Sequence, residues 1–201
     1  MRVSKPFQQF GGAYFCIVKH RKNTKDNMKH AKKIVLAVLV VLFALTTMKT
    51  FAQERPIHEV YSMMVFNFSK YVQWPDNGNG EFVIGVVGNE EIYKTLSAWY
   101  SGKPKGAKKF VIKSFKNATE VQDCQILFID KSKSGEFETA NAKVKGKGTL
   151  VITDRNGLGA KGSCINFKTV DDKLKFELNQ AAIETSNLKV SSALTSMAIL
   201  I

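Results

Sequence analysis

The sequence predicts a three-layer α/β domain, Rossmann-like, with a mostly parallel sheet of about six strands, a C-terminal hairpin and helices on both faces. Three observations predict it. Short apolar runs bounded by turn residues recur at 82–87, 125–129 and 149–153, the pattern of strands buried on both faces. Helical patterns separate them, as crossovers between parallel strands require. After Asp154 the alternation gives way to two strand-like segments joined by a short turn, which adds an antiparallel pair.

The elements follow in order. From Glu54 to Trp74 the apolar residues Ile57, Val60, Tyr61, Met64, Val65, Phe68 and Val72 fall at i, i+3, i+4, i+7 spacing, one stripe of a helix. Pro56 suits its first turn, and Trp74-Pro75 stops it, because a residue before proline is pushed out of helical geometry. Phe82–Val87 is a buried strand. Asn89 then caps a helix running from about Glu90 to Tyr100, with acidic residues in its first turn. Ser101–Ala107 is a loop, Phe110–Phe115 alternates as a half-exposed strand, and Gln125–Ile129 is a second buried one. A weak helix over Ser134–Val144 precedes the strand Thr149–Thr153. Strands Ile165–Thr169 and Leu174–Leu178 meet at Val170-Asp171-Asp172-Lys173. Asn179 caps a helix beginning at Gln180, Leu188–Val190 is extended, and Ser191-Ser192 open a last short helix.

Residues 1–52 are set aside from the fold. From Met28 a basic start at Lys29, Lys32 and Lys33 is followed by an unbroken apolar run of 12 residues, Ile34–Leu45, and a short exit ending Thr50-Phe51-Ala52. That is the order of a secretory signal peptide, with cleavage expected between Ala52 and Gln53. The run falls short of the roughly 20 apolar residues that span a bilayer. Residues 1–27 carry no clear period and read as an extended or mis-assigned N-terminus, 28–52 as the signal peptide, and 53–201 as one domain. The mature protein is expected to act outside the cytoplasm, in soluble form after cleavage. The net charge of +13 over the chain divides unevenly: 1–52 hold 10 Lys and Arg against 1 acid, and 53–201 hold 20 against 16, or +4. The basic excess therefore belongs to the leader and gives no reason to expect nucleic acid.

Candidate chemistry is sparse. Cys16 lies in the leader, while Cys124 and Cys164 remain in an oxidising compartment. They are either a disulfide pair or two small buried hydrophobes, each opening a strand. Gly157–Gly162 matches GxGxxG, but a strand pattern follows it where a phosphate-binding loop needs a helix N-terminus. His58 is the one histidine after residue 52, too few for a histidine-based zinc site or an identifiable triad. Asp171-Asp172 read as turn residues. No catalytic, metal or cofactor residues are identified, and the chain reads as non-enzymatic.

Several segments resemble the YfiR-like family: Phe66-Asn67-Phe68 through Tyr71-Val72-Gln73-Trp74-Pro75, then Cys124–Ile129, then Gly162 with Asn166-Phe167. The strongest are Lys175-Phe176-Glu177-Leu178-Asn179-Gln180-Ala181-Ala182 and Leu188-Lys189-Val190-Ser191-Ser192-Ala193-Leu194. They occur in the family order over 54–199. Asn187 stands where the family commonly has Gly, and still permits a left-handed helix end.

The resemblance implies a periplasmic regulatory domain that represses a membrane diguanylate cyclase, and so cyclic-di-GMP signalling, by protein–protein interaction. Its expected partner is the periplasmic region of an inner-membrane sensor, a diguanylate cyclase or a histidine kinase. An outer-membrane lipoprotein and a second copy of the chain are further expected partners. Phe66, Tyr71, Trp74, Leu194 and Met197 are the candidate partner surface, chosen for the aromatic excess of the first helix and the uncharged C-terminal segment. The alternative is a small-molecule-binding sensor, its crevice at the carboxyl ends of the parallel strands, lined by Gly88-Asn89-Glu90 and 157–162.

Overall fold

The computed structural model describes residues 28–39, 55–76, 78 and 80–201. The chain divides into two units, Met1–Gln53 and Glu54–Ile201. In the first, 28–39 form an α-helix. The 1–27 extension, Cys16, the end of the apolar run and the Ala52-Gln53 cleavage point lie outside the described residues. No helix among the described residues is long and apolar enough to cross a membrane.

The second unit begins with α1, Ile57–Tyr71, which leads into a two-residue strand β1, Val72–Gln73. Then come β2, Glu81–Val87; α2, Glu90–Tyr100; β3, Pro104–Lys105; β4, Lys108–Phe115; β5, Ile126–Ile129; α3, Phe137–Val144; and β6, Leu150–Thr153. The closing part holds β7, Ile165–Val170; β8, Lys173–Leu178; α4, Gln180–Thr185; β9, Lys189–Val190; α5, Ser192–Met197; and β10, Ile199–Leu200. The expected helix over 134–144 is split, with a 3₁₀ segment over Lys131–Glu136 ahead of α3.

Eight strands form one sheet in the order β10-β8-β7-β6-β5-β2-β4-β3. Strands β4, β2, β5, β6 and β7 are parallel, while β8 runs antiparallel to β7 and β3 antiparallel to β4. The two strands beyond the expected six are the two-residue edge pieces β3 and β10, too short to show as a periodic pattern. The chain moves from β2 to β4 in one direction along the sheet and from β5 to β6 in the other. Right-handed crossovers therefore put α2 and α3 on opposite faces.

Helix α1 shares the face of α2. Phe66 stacks on Tyr100 of α2 with ring centroids 3.8 Å apart. Tyr61 stacks on Phe167 at 4.5 Å and lies 6.0 Å from Phe128, and Phe68 meets Phe176 edge-on at 5.2 Å. Phe128 and Phe167 are almost fully buried, each worth about 1.5–3 kcal/mol relative to exposure. Helix α1 ends one turn earlier than the apolar stripe suggests, because Val72 and Gln73 pair antiparallel with Val190 and Lys189. Backbone hydrogen bonds to β9 replace those a longer helix would make.

The hairpin between β7 and β8 closes on Asp171 and Asp172 at φ 49° and 56°, the paired positive angles of a type I′ turn. The apolar C-terminus docks on its own domain. Strand β10 lies parallel to β8, Ile201 N–H donates to Leu178 O at 3.1 Å, and Gln180 N–H donates to Ile201 O at 3.2 Å.

Candidate functional site

In an open parallel sheet the natural crevice lies outside the carboxyl ends of the strands, where the strand order reverses. Here that point is between β2 and β5, and the chain fills it. Asn89 Oδ1 accepts from Ile92 N–H at 3.0 Å and caps α2, while its Nδ2 donates to Asp130 Oδ2 at 2.9 Å. Asp130 Oδ1 accepts from Ser132 N–H at 2.9 Å, and Ser132 Oγ donates to Gly88 O at 3.4 Å. At Gly88, φ +84°, a Cβ would lie 2.3 Å from Lys133 Cγ. The Gly88-Asn89 loop therefore locks the β2 end to the β5 end.

The glycine loop 157–162 is also structural. Strand β7 follows it, Gly159 O accepts from Asn179 Nδ2 at 2.8 Å, and a Cβ at Gly159 would meet Glu177 Oε2 at 2.7 Å and Ile201 Cδ1 at 2.8 Å. Gly159 packs beneath the C-terminus, while Lys161 and Gly162 line a smaller cavity of about 250 Å³ with Asn141, Asn179 and Thr185.

An open cleft lies across the ends of β5, β6 and β7. Ile129 pairs with Thr153 in register, so the next residues, Asp130 and Asp154, emerge side by side about one strand spacing apart, roughly 4.8 Å. Burial pushes the Asp130 carboxyl up, but the hydrogen bonds from Ser132 and Asn89 outweigh it and hold it below the ordinary value. Asp154 has less such support: its Oδ1 is buried with no hydrogen-bond partner among the described residues. Burial, and then the Asp130 charge, hold its carboxyl up at about 6, more than the Lys131 and Asp154 backbone N–H groups and the Lys131 charge offset. Tyr61 completes the cluster from α1; burial, then Asp154 and Asp130, push its phenol up to about 12.

Tyr61, Lys131, Asp154, Arg155, Phe167 and Lys168 line this cleft of about 590 Å³ together with Asn156 and Thr169. Arg155 donates to Ser134 Oγ, and Lys168 Nζ lies 2.9 Å from Glu177 Oε1. A buried polar chain backs the cleft: Thr153 Oγ1 donates to Asn166 Oδ1 at 2.7 Å, and Asn166 Nδ2 donates to Glu177 Oε2 at 2.9 Å. This arrangement can bind and can titrate. The hydroxyls of its lining are those of Thr169 and of Tyr61, whose phenol is held protonated. His58 is elsewhere, on the α1–α2 side, with Nδ1 3.4 Å from Glu91 Oε2. Among the described residues no group of three or more His, Cys, Asp or Glu is placed to hold a metal ion.

A profile of the YfiR/HmsC-like family, DUF4154, matches residues 58–199. The chain belongs to the YfiR/HmsC-like family. That is a regulatory rather than a catalytic family. No curated protein matches the chain. Among solved structures, a conserved domain protein from Vibrio cholerae O1 biovar El Tor strain N16961 aligns at 13% identity with a TM-score of 0.43, over 71% of this chain and 59% of that one. The chain thus spans about three fifths of that protein's length.

Within this YfiR/HmsC-like domain the residues singled out from sequence go different ways. Cys124 and Cys164 are free and buried, which corrects the disulfide reading. They lead into β5 and β7, and β6 lies between. Two strand spacings, roughly 9–10 Å, exceed the about 7 Å that a disulfide spans. Thr149 occupies the gap: its Oγ1 donates to Cys124 O at 2.6 Å, and its carbonyl is 4.0 Å from Cys164 Sγ. Burial, then Asp123, push the Cys124 thiol up to about 12, and burial raises Cys164. Both are inert core residues.

Leu194 is 1% exposed and belongs to the core, so it is withdrawn from the partner surface. Phe66 and Trp74 are half-buried and engaged internally. Phe66 sits between Tyr100 and Phe110, and Trp74 Nε1 donates to Gln125 O at 3.0 Å with its ring edge-on to Phe82. Lys105 Nζ caps the Trp74 and Phe82 rings at 5.5 and 4.9 Å. Tyr71 and Met197 remain exposed, at 37% and 55%. The β1–β9 ladder, with Ser191 N–H donating to Tyr71 O at 2.9 Å, ties the end of α1 to the start of α5, so the two sit on adjoining elements.

Sequence reasoning passed over Asp130 and Asp154. A signal existed: both QILFID and TLVITD end a buried parallel strand in Asp, and successive parallel strands bring such ends together.

Proposed function

We propose that this protein is exported, loses residues up to Ala52, and acts in the periplasm as a non-enzymatic regulator of a membrane-bound receptor. The family match over residues 58–199 carries this reading. The signal-peptide pattern from Met28 supports it. The receptor we favour is a diguanylate cyclase held in its inactive state, so that the protein lowers cyclic-di-GMP. A histidine kinase is the second receptor class, and an outer-membrane lipoprotein would sequester the regulator. The mechanism is preferential binding to one receptor state. Moving a receptor from about 10:90 to 90:10 needs roughly an 80-fold difference in affinity, about 2.6 kcal/mol. Exposed Tyr71 and Met197 are the proposed contact residues.

The test is genetic and physical. Deleting the gene should raise cellular cyclic-di-GMP, and re-expression of the parent, but not of a Tyr71→Asp/Met197→Asp double variant that is exported at equal level, should restore it. Cross-linking in intact cells should capture a membrane protein carrying a cyclase or kinase domain. Unchanged cyclic-di-GMP together with capture of neither class would overturn the proposal.

A further inference from the structure

The cleft across the ends of β5, β6 and β7 has an unbalanced lining. Three cations, Lys131, Arg155 and Lys168, face one acid, Asp154, with the stacked Tyr61 and Phe167 rings beside them. Two of the cations are held in place. Lys168 is braced by Glu177, which burial raises but the Lys168 and Asn166 hydrogen bonds hold below its ordinary value. Arg155 is braced by Ser134. Each brace uses only part of the donor capacity: an ammonium has three N–H groups, and a guanidinium has five in a planar fork suited to carboxylate or phosphate oxygens. The volume, about 590 Å³, lies within the usual range for small-molecule sites.

We propose that this cleft is a binding site for a small organic dianion, held by Lys131, Arg155 and Lys168 beside the Tyr61 and Phe167 rings. The proposal goes beyond the partner reading and does not depend on it. The shared ligand chemistry is two negative charges on carboxylate or phosphate oxygens, supplied by a dicarboxylate or by a phosphomonoester.

Asp154 makes the site sensitive to pH. Charged, it opposes an incoming anion; protonated, it removes that repulsion and adds an O–H donor. The groups acting on it are Asp130 and Lys131 from the end of β5, with Tyr61 from α1; Arg155 and Lys168 are the other charged groups of the lining. Asp130 stays ionised through its own hydrogen bonds, so Asp154 takes the proton. Binding therefore tightens on acidification through about pH 6, whereas a site without the acid would show no such dependence for a ligand of constant charge.

The experiment titrates the purified protein with sulfate, a dianion over the whole window, at constant ionic strength, following backbone amide shifts by NMR at pH 7.5 and 5.5. The expected result is saturable shifts at residues 131, 154–156 and 168, with affinity about tenfold higher at pH 5.5, the size of one removed like charge at close range. Asp154→Asn should bind at pH 7.5 as the parent does at pH 5.5 and lose the pH dependence. Lys131→Gln, whose side chain lies at the exposed rim, should weaken binding about tenfold without loss of fold. Succinate against phosphate, compared at pH 7.5 in Asp154→Asn, then separates the two ligand sources. Shifts confined to other surfaces, no weakening in Lys131→Gln, or equal parental affinity at both pH values would overturn the proposal.

Discussion

Replacing Asp154 with Asn should make the protein more stable at neutral pH. The substitution keeps the side-chain shape and removes a charge that the fold holds unfavourably. In the folded chain the carboxyl is held at about 6 against an ordinary 3.8. The native state thus binds the proton more readily than the unfolded chain between about pH 4 and 6, and stability contributed at this site falls as pH rises through that window. At full strength the difference corresponds to about 3 kcal/mol. Water reaches part of the side chain, so about 1–2 kcal/mol is the expected gain for Asp154→Asn at pH 7. The assay is urea unfolding of parent and variant at half-unit steps from pH 3.5 to 7.5. The difference curve is the quantity to read, because Asp130 and Glu177, held below their ordinary values, tilt the parent's own profile the other way. The difference should be near zero below pH 4, grow through pH 6 and level off. A variant less stable than the parent at pH 7, or a difference that does not change with pH, would refute the account of the Asp130–Asp154 pair.

Three further outcomes follow from the packing. Leu194→Ala should cost about 2–4 kcal/mol, because the side chain is 1% exposed, whereas Met197→Ala, at 55%, should change stability by less than about 0.5 kcal/mol; equal costs in denaturant unfolding would contradict the buried placement of the first. Gly85→Ala should destabilise by about 1–3 kcal/mol, since its Cβ would lie 2.6 Å from Phe115 Cε2 and 3.2 Å from Leu127 Cδ1; a neutral melting temperature would mean that the Phe115 ring moves aside freely. Cys124 and Cys164 should resist an aromatic disulfide reagent in the native state and both react in denaturant, with unchanged mobility on non-reducing gels; a native cross-link would refute the strand order between them.

Much of the fold was legible locally. The buried runs at 82–87, 125–129 and 149–153 became three parallel strands, Asn89 and Asn179 cap the helices they were expected to cap, and Asp171-Asp172 make the hairpin turn. These features rest on short-range causes: side-chain period, a donor three residues away, a tolerated positive φ. Tiny elements escaped because two residues carry no period. β1 and β9 exist only because each pairs with the other, and β10 only because it lies beside β8.

The partner residues show the same division. An aromatic excess in α1 was plain in the sequence, but a helix stripe does not say which side meets a second layer. Phe66 lies off the main stripe and yet is covered, because α2 packs on the same face and brings Tyr100 to it. Leu194 and Met197 both lie in an uncharged tail, and only the docking of α5 and β10 separates a core residue from an exposed one.

By itself the sequence determined the α/β class, the family resemblance and the lack of an obvious catalytic motif, since these reside in composition, period and ordered short motifs. Tertiary structure decided the rest. Strand order set Cys124 and Cys164 two strands apart, closed the crevice at Gly88-Asn89, and brought Asp130 and Asp154 together in register under Tyr61. The physical reason is that a disulfide, a cleft and a raised carboxyl each depend on distances across the sheet, and those distances are set by which strands become neighbours.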